Sequence, residues 1–188
     1  MSEKEYTEDE LIQGCVKNIR KLQEAFYRRY ATLAYKICLG YARDRSEAKD
    51  MMQEAFLKIY KKIKDYKKTG SLEGWVRRVI VNTALDFIRK HKKEMNWLEI
   101  KENDHQETEI DNHTTQSLNV NDLMEFISSL PHGARTVFHM FAIEGFQHKE
   151  IAEKLNISEG TSKSQYNRAR ELLKQRIIQD KPGNGSVF

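Results

Sequence analysis

The chain has 188 residues, with 32 Lys or Arg against 28 Asp or Glu and a formal net charge of +4. A hydrophobic fraction of 39% is enough for one or two packed cores and excludes a wholly disordered chain. No run of about 18 apolar residues occurs, which excludes a membrane-spanning helix, and the acidic start MSEKEYTEDE lacks the apolar segment of a signal peptide. We therefore expect a cytoplasmic protein.

Cysteine and histidine usage argues against a metal site. Cys15 and Cys38 are the only cysteines, and their spacing is not that of metal ligands, so we predict two reduced, buried thiols. The six histidines form no HExxH pattern, and the chain has neither a Gly-rich phosphate loop nor a nucleophile elbow. We expect no metal, no cofactor, no catalytic residue and no enzymatic activity.

The first half of the chain, residues 1–93, predicts a helical bundle that starts near Leu11. A helix begins near Ser46, and apolar residues at helical spacing give it one buried face. These residues are Met52, Ala55, Phe56, Ile59 and Ile63.

A break over residues 67–71 separates this helix from another, which begins at Leu72 or Gly74 and ends near Lys90. One side of the second helix is apolar, and a further apolar strip predicts that it packs against two neighbours. The first side carries Val76, Val79, Ile80, Thr83 and Phe87, and the strip carries Val81, Leu85 and Ile88.

Charge then changes sign along the chain. Twelve Lys or Arg face three acids between Phe56 and Lys93, whereas eight acids face Lys101 alone between Glu94 and Asp122. Helical periodicity is absent over residues 94–119, which predicts an acidic, flexible linker.

A second helical domain is predicted over residues 120–181, followed by a frayed tail over 182–188. Its helices are expected to end at Pro131, at Gly145, near Leu155 and near Ile178. The first two carry the apolar stripes Leu123, Phe126, Ile127 and Leu130, then Val137, Phe138, Phe141 and Ala142. The predicted fold class is therefore all-α, with an N-terminal helical bundle and a C-terminal four-helix domain.

The segment HKEIAEKLNISEGTSKSQYNRARELL, residues 148–173, predicts a helix-turn-helix. A short helix buries Ile151, Ala152 and Leu155; Asn156 suits the left-handed turn, and Ser158 can cap the next helix. On that helix Tyr166, Ala169 and Leu173 are expected to face inward, together with Ser162. The opposite, polar face suits contacts with base edges and phosphates in a DNA major groove. An ordinary helical hairpin with a solvated face is the alternative. The outer face carries Thr161, Lys163, Ser164, Asn167, Arg168 and Glu171.

A second candidate site is a polar stripe on the helix that ends near Lys90. Aromatic, guanidinium and amide groups in one row suit unpaired bases, although a core edge beside a solvated face is also consistent with the pattern. The stripe is Trp75, Arg78, Asn82 and Arg89, with Asp86 at its edge and Tyr66, Lys67 and Lys68 in the preceding loop. A third candidate is a docking patch for another protein, formed by Asp50, Gln53, Glu54 and the exposed Leu57.

Three stretches resemble the extracytoplasmic-function (ECF) sigma factors of bacterial RNA polymerase. RSEAKDMMQEAFLKIYKKI is similar to region 2.2, GSLEGWVRRVIVNTALDFIRK to regions 2.3 to 2.4, and residues 130–173 to region 4. Together they cover most of the chain in the family's order. Ser162 departs from the family pattern, because an apolar residue is usual there, as do Gln165 and Asn167, where basic or aromatic residues are more common.

The resemblance implies a sigma factor that binds core RNA polymerase and promoter DNA. It implies core docking through Asp50, Gln53, Glu54 and Leu57, and capture of a flipped minus-ten base of the non-template strand by Tyr66, Lys67, Lys68, Trp75, Arg78, Asn82 and Asp86. It also implies minus-thirty-five readout through Thr161, Lys163, Ser164, Asn167 and Arg168.

Further partners follow from the family alone. A membrane-bound anti-sigma factor is one, and the free chain is expected to be a monomer without direct membrane insertion. Two other classes remain open: a free-standing helix-turn-helix regulator with an N-terminal effector or dimerisation domain, and a protein-binding adaptor such as an anti-sigma factor or scaffold.

Overall fold

The computed structural model describes residues 6–91 and 120–179, and within these ranges all regular structure is helical. This confirms the predicted all-α fold class. The chain divides into two compact units, Met1–Lys90 and His91–Phe188. The predicted linker over 94–119 and the predicted tail over 182–188 lie outside the described residues.

The first unit is a bundle built around its longest helix. This helix, α2, contacts each of the other three helices, and α3 also packs on α4. The helices are α1 (Glu8–Val16), α2 (Arg20–Tyr41), α3 (Arg45–Lys62) and α4 (Leu72–Lys90), with a 3₁₀ turn at Ile63–Asp65 after α3.

Side-chain caps fix where two of these helices, α1 and α3, begin. Thr7 and Glu10 form a capping box at α1, in which the Glu10 carboxylate accepts from the Thr7 backbone N–H at 2.8 Å. At α3, Asp44 Oδ1 accepts from the backbone N–H groups of Ser46 and Glu47 at 2.8 and 2.9 Å. Such caps satisfy N–H groups that have no partner inside the helix.

Residues spaced three or four apart along α2 form the centre of the bundle. They are Phe26, Tyr30, Ala34, Ile37, Cys38 and Tyr41, all buried. Cys15 of α1 is buried as well, and burial raises the pKa of the Cys15 thiol to about 11 and that of Cys38 to about 12. Both thiols are free, which confirms the prediction of two reduced, buried cysteines.

The buried face of α3 differs from the prediction by one residue. Met51 is fully buried, whereas Met52, which we placed in the core, is half-buried. Met51 follows Ala48 by three residues and precedes Ala55 by four, so these residues share one helical face. The prediction for Met52 was therefore wrong.

The faces of α4 are largely as predicted, with two exceptions. Val81, Leu85 and Ile88 are buried, as are Val76, Ile80 and Thr83 on the other side. Val79 and Phe87 are only half-buried.

The described part of the second unit, residues 120–179, contains four α-helices: α5 (Val120–Ser129), α6 (His132–Phe138), α7 (His148–Leu155) and α8 (Glu159–Gln179). Its core joins α5, α6 and α8, and Leu123, which we placed in the first stripe, is exposed. The core residues are Ile127, Leu130, Ala134, Ala169 and Leu173, with Phe126, Phe138 and Leu172 packed against them.

A π-helical turn, His139–Ile143, follows α6 and changes which side chains point inward. The Glu144 N–H donates to the His139 carbonyl five residues earlier, at 3.0 Å. The wider turn rotates the residues that follow it. Met140 is buried, three residues after the buried Val137, and Ala142, which we expected on the apolar stripe, is exposed.

Candidate functional site

The helix-turn-helix is formed by α7 and α8, and the turn has the geometry that the sequence predicts. Asn156 has φ 53° and ψ 54°, the left-handed conformation that asparagine tolerates better than most residues. The Ser158 hydroxyl accepts from the Thr161 backbone N–H at 2.9 Å and so caps α8. Ile151 and Leu155 are buried beneath the turn, while Ala152 is only half-buried.

A polar contact that the sequence did not predict joins the two helices. Nδ1 of His148, the first residue of α7, lies 2.9 Å from the hydroxyl oxygen of Ser162 in α8. Ser162 is fully buried. Burial lowers the pKa of His148, and the positive charge of Lys163 lowers it further. A buried hydroxyl at a position that is usually apolar signals a hydrogen-bond partner, and that signal could have led to His148.

Aromatic rings surround this contact. Phe141 stacks on His148 with ring centroids 4.3 Å apart, and Tyr166 lies 4.6 Å from Phe141. The Arg170 guanidinium lies 5.9 Å from the centroid of the Tyr166 ring. These ring contacts pack the π turn, the start of α7 and α8 against one another.

The predicted outer face of α8 is present, but its members are not equally accessible. Lys163 and Asn167 are exposed, and Thr161, Ser164 and Arg168 are half-buried along one flank. The hydroxyls of Thr161 and Ser164 bond locally, the first to Ser158 at 2.8 Å and the second to the Thr161 carbonyl at 3.0 Å. Arg168 makes no hydrogen bond or ion pair with the residues that the structure describes.

An ion pair at the start of α8 orients Lys163. Its ammonium lies 2.8 Å from the Glu159 carboxylate one turn earlier. The hydrogen bond from Lys163 lowers the pKa of Glu159. Both side chains are exposed, so the pair can exchange for a phosphate contact at little cost.

Part of the polar stripe of α4 borders an open cavity of about 500 Å³ between α3 and α4, whereas Trp75, Arg78 and Arg89 do not line it. Asn82 and Asp86 line this cavity, and Arg78 is exposed on the same helix. Trp75 is half-buried, with its ring centroid 5.6 Å from that of Tyr66. Four lysines also line the cavity, which makes it attractive to a polyanion: Lys58, Lys61, Lys62 and Lys64.

The loop between the 3₁₀ turn and α4 is held from two sides. The Tyr66 hydroxyl donates to the Gly70 carbonyl, and Lys68 pairs with Asp9 of α1. Lys68 has φ 55°, a left-handed conformation that is uncommon for lysine. Lys67 is exposed between them. The loop thus carries the Tyr66 ring and the ammonium groups of Lys67 and Lys68, and these contacts hold its backbone in place.

The predicted docking patch forms a row along α3. Leu57 has 70% of its surface exposed, and Gln53 and Asp50 are exposed one and two turns before it. Glu54 is half-buried and binds Lys58.

A network of ion pairs between α3 and α4 was not predicted. Lys58 Nζ lies 3.0 Å from Glu54 and 3.1 Å from Asp86, and Arg89 pairs with the other oxygen of Asp86. Burial lowers the pKa of Lys58, but hydrogen bonds to Glu54 and Asp86 outweigh it, so the pKa is raised. The sequence carries no signal for a contact between residues 28 positions apart.

Over residues 6–91 and 120–179, no group of three or more His, Cys, Asp or Glu side chains is placed to bind a metal ion. Within the same ranges, every helix is too short or too polar to cross a membrane.

Known proteins resemble the chain over both units. Residues 26–94 match the Sigma-70 region 2 family and residues 121–173 match Sigma-70, region 4. The ECF RNA polymerase sigma factor SigM of Bacillus subtilis is 28% identical over 151 residues, which is 80% of this chain and 92% of SigM. SigW of the same species is 28% identical over 181 residues, with 89% of this chain and 97% of SigW covered.

Among solved structures, the sigma factor RpoE in complex with the anti-sigma factor NepR from Bartonella quintana gives a TM-score of 0.45 at 19% identity. It covers 84% of this chain and 99% of the other. The two family matches follow each other in order over more than half of the sequence. The chain belongs to the ECF group of RNA polymerase sigma factors, non-catalytic initiation factors that bind core RNA polymerase and promoter DNA.

Proposed function

We propose that this sigma factor divides promoter recognition between its two units. The first, over residues 1–93, docks on core RNA polymerase and captures the non-template strand of the minus-ten element. The second, over residues 120–181, reads the minus-thirty-five element as duplex. The outward polar face of α8, held against α7 by a left-handed turn, is the observation that carries the proposal.

Readout of the duplex is assigned to α8. A recognition helix enters the major groove with its polar side chains toward base edges and phosphates. Arg168, which has no partner among the described residues, is assigned to a base, and the exposed Lys163 to a phosphate. Asn167 is exposed and offers an amide for a base edge. Thr161 and Ser164, which are half-buried on one flank of α8, are assigned to the edge of the same DNA contact.

Strand capture is assigned to the cavity beside α4. A flipped base costs a few kcal/mol of stacking and pairing, which a fitted pocket repays. Asn82 and Asp86 line the cavity and supply donor and acceptor groups for a base edge. Trp75 and Tyr66 offer ring faces for stacking, and the positive side chains of Arg78, Lys67 and Lys68 attract the strand.

Docking on core polymerase is assigned to the row on α3. The side chains of Asp50, Gln53 and Leu57 are exposed. They make no hydrogen bond or ion pair with other residues in the described ranges. An exposed leucine next to acidic and amide groups suits a partner that offers a small apolar contact ringed by cations. Glu54 extends this row toward Lys58.

The cytoplasm is the compartment that this function requires, since core polymerase and promoter DNA are found there.

Runoff transcription with purified core polymerase tests the proposal. The full chain is expected to associate with core polymerase and to direct transcripts from defined start sites. A helix-turn-helix regulator would need an additional sigma factor for the same transcripts, and a protein-binding adaptor would produce none. If the chain neither binds core polymerase nor changes where transcripts begin, the proposal is wrong.

A further inference from the structure

The ion-pair network between α3 and α4 lies at the edge of the proposed strand-capture cavity. Asp86, which lines the cavity beside Asn82, uses each of its carboxylate oxygens for a different cation. Oδ1 accepts from Arg89 of the same helix, and Oδ2 accepts from Lys58 of α3 at 3.1 Å. Asp86 is therefore held from two sides.

The two ion pairs of Asp86 explain how a carboxylate can lie on a surface that binds DNA. A lone carboxylate on a surface that binds DNA repels phosphates, and its removal would then strengthen binding. With two cations on it, Asp86 no longer presents a net negative charge. Its oxygens keep free lone pairs, since a carboxylate accepts about four hydrogen bonds. Such a group can accept from the amino group of a base.

The position of Lys58 is itself fixed. Its ammonium also binds Glu54, one turn earlier on α3, at 3.0 Å. Two acids on different helices thus share one cation, and the Lys58 side chain is only 30% exposed. Networks of several charges with defined geometry are more effective than isolated surface pairs.

We propose that Lys58 is a positioning residue for strand capture, which fixes the Asp86 carboxylate beside Asn82 so that it can accept a hydrogen bond from the flipped base. The inference rests on the proposed function of the cavity. Lys58 itself need not contact the base, because its effect passes through Asp86. Discrimination between base sequences is therefore the property that it controls.

The test uses holoenzyme assembled from core polymerase and the full chain. Two fluorescent single-stranded oligonucleotides are compared: one carries the non-template minus-ten sequence mapped by runoff transcription, the other the same bases in scrambled order. The ratio of their affinities reports base recognition, whereas loss of charge alone weakens both equally.

Lys58→Met keeps most of the aliphatic stem and removes the charge. It is expected to lower the affinity ratio about threefold to tenfold, the usual size of coupling between neighbouring charged groups. Lys58→Arg restores the ratio, because guanidinium can bind the same two carboxylates. Lys61→Met is the matched control: Lys61 lines the same cavity but makes no ion pair with any described residue. Its loss is expected to weaken the binding of both oligonucleotides alike, and so to leave the ratio of their affinities unchanged.

A double-mutant cycle separates positioning from folding. In an Asp86→Asn chain, Lys58→Met should lower the ratio no further, since the group that it positions has already been altered. The inference is overturned if Lys58→Met leaves the ratio at the parent value, if Lys61→Met lowers it equally, or if the two replacements act independently in the cycle.

Asn82→Ala distinguishes this inference from the proposed function. If Asn82→Ala lowers the affinity ratio and Lys58→Met does not, strand capture stands and the role of Lys58 falls. If neither replacement changes the ratio, the cavity is not the capture site.

Discussion

His148 Nδ1 lies 2.9 Å from the Ser162 hydroxyl, and this contact joins the first turn of α7 to the buried face of α8. Ser162 stands at a position where the family usually has an apolar residue, and it is fully buried. A buried hydroxyl without a partner costs more than an apolar side chain does, so the serine depends on the histidine. The serine at position 162, which departs from the family pattern, is thus explained by its hydrogen-bond partner His148.

Ser162→Ala is expected to lower the local free energy of opening of α7 and α8 by about 0.5–1.5 kcal/mol, because it removes the hydrogen bond to the half-buried His148 ring. Native-state hydrogen exchange of the full chain measures this, with α4 amides as an internal reference. Replacement of both partners, His148→Phe with Ser162→Ala, should cost less than the single change. A larger loss in the double variant would contradict the pairing.

Acid should weaken the same region. The pKa of His148 in the folded chain is lowered from 6.5, by burial first and by Lys163 second, while Glu159 opposes the shift. The unfolded chain therefore binds a proton at a higher pH than the folded chain does. The stabilisation is complete above pH 6.5 and declines as the pH falls toward the folded value. Hydrogen exchange of α7 and α8 as a function of pH measures it, and His148→Gln should remove this component.

The helix-turn-helix could be predicted closely because its signals are local. The bounds of α7, the left-handed turn at Asn156 and the Ser158 cap depend on residues within one or two turns of each other. Periodicity alone also placed Val81, Leu85 and Ile88 of α4 in the core. Short-range hydrogen bonds and helical spacing determine such features, and both are visible in a sequence.

Contacts between distant residues could not be predicted in this way. The choice of Met51 over Met52 depends on the angle at which α3 packs, and no residue signals the π-helical turn in which Ala142 is exposed. The bridge from Lys58 to Asp86 needs the relative position of two helices. Periodicity gives the face of a helix to within about one residue, and packing decides the rest.

Asp44→Ala is expected to destabilise the first unit by about 0.5–2 kcal/mol, since it removes the cap of α3. Asp44 accepts from two backbone N–H groups, those of Ser46 and Glu47. Urea unfolding followed by tryptophan fluorescence measures the change through Trp75, in a chain whose Trp97 is replaced by Phe. Asp44→Asn keeps an acceptor and should cost less; equal losses would exclude capping as the cause.

Arg168 and Lys163 should differ in what they contribute to duplex binding. Arg168→Ala is expected to cost about 1–3 kcal/mol and to relax discrimination at one base pair, whereas Lys163→Ala should weaken all sequences alike and reduce the salt slope by about 1. Binding of holoenzyme to duplexes with single base-pair changes, at several salt concentrations, measures both. Unchanged promoter choice after Arg168→Ala would exclude its assignment to a base.

Asn82→Ala should impair promoter opening more than the first binding step. The amide lines the cavity beside α4 and is exposed, so its loss removes a base contact of about 1–3 kcal/mol without disturbing the core. Permanganate reactivity of unpaired thymines measures opening, and footprinting at low temperature measures closed-complex formation.

Glu73→Gln, an exposed change in the first turn of the same helix, serves as the matched control. Because strand capture stabilises only the open state, reactivity should fall about tenfold or more in Asn82→Ala while the closed-complex footprint persists. Equal permanganate reactivity in Asn82→Ala and the parent would exclude a role of Asn82 in promoter opening.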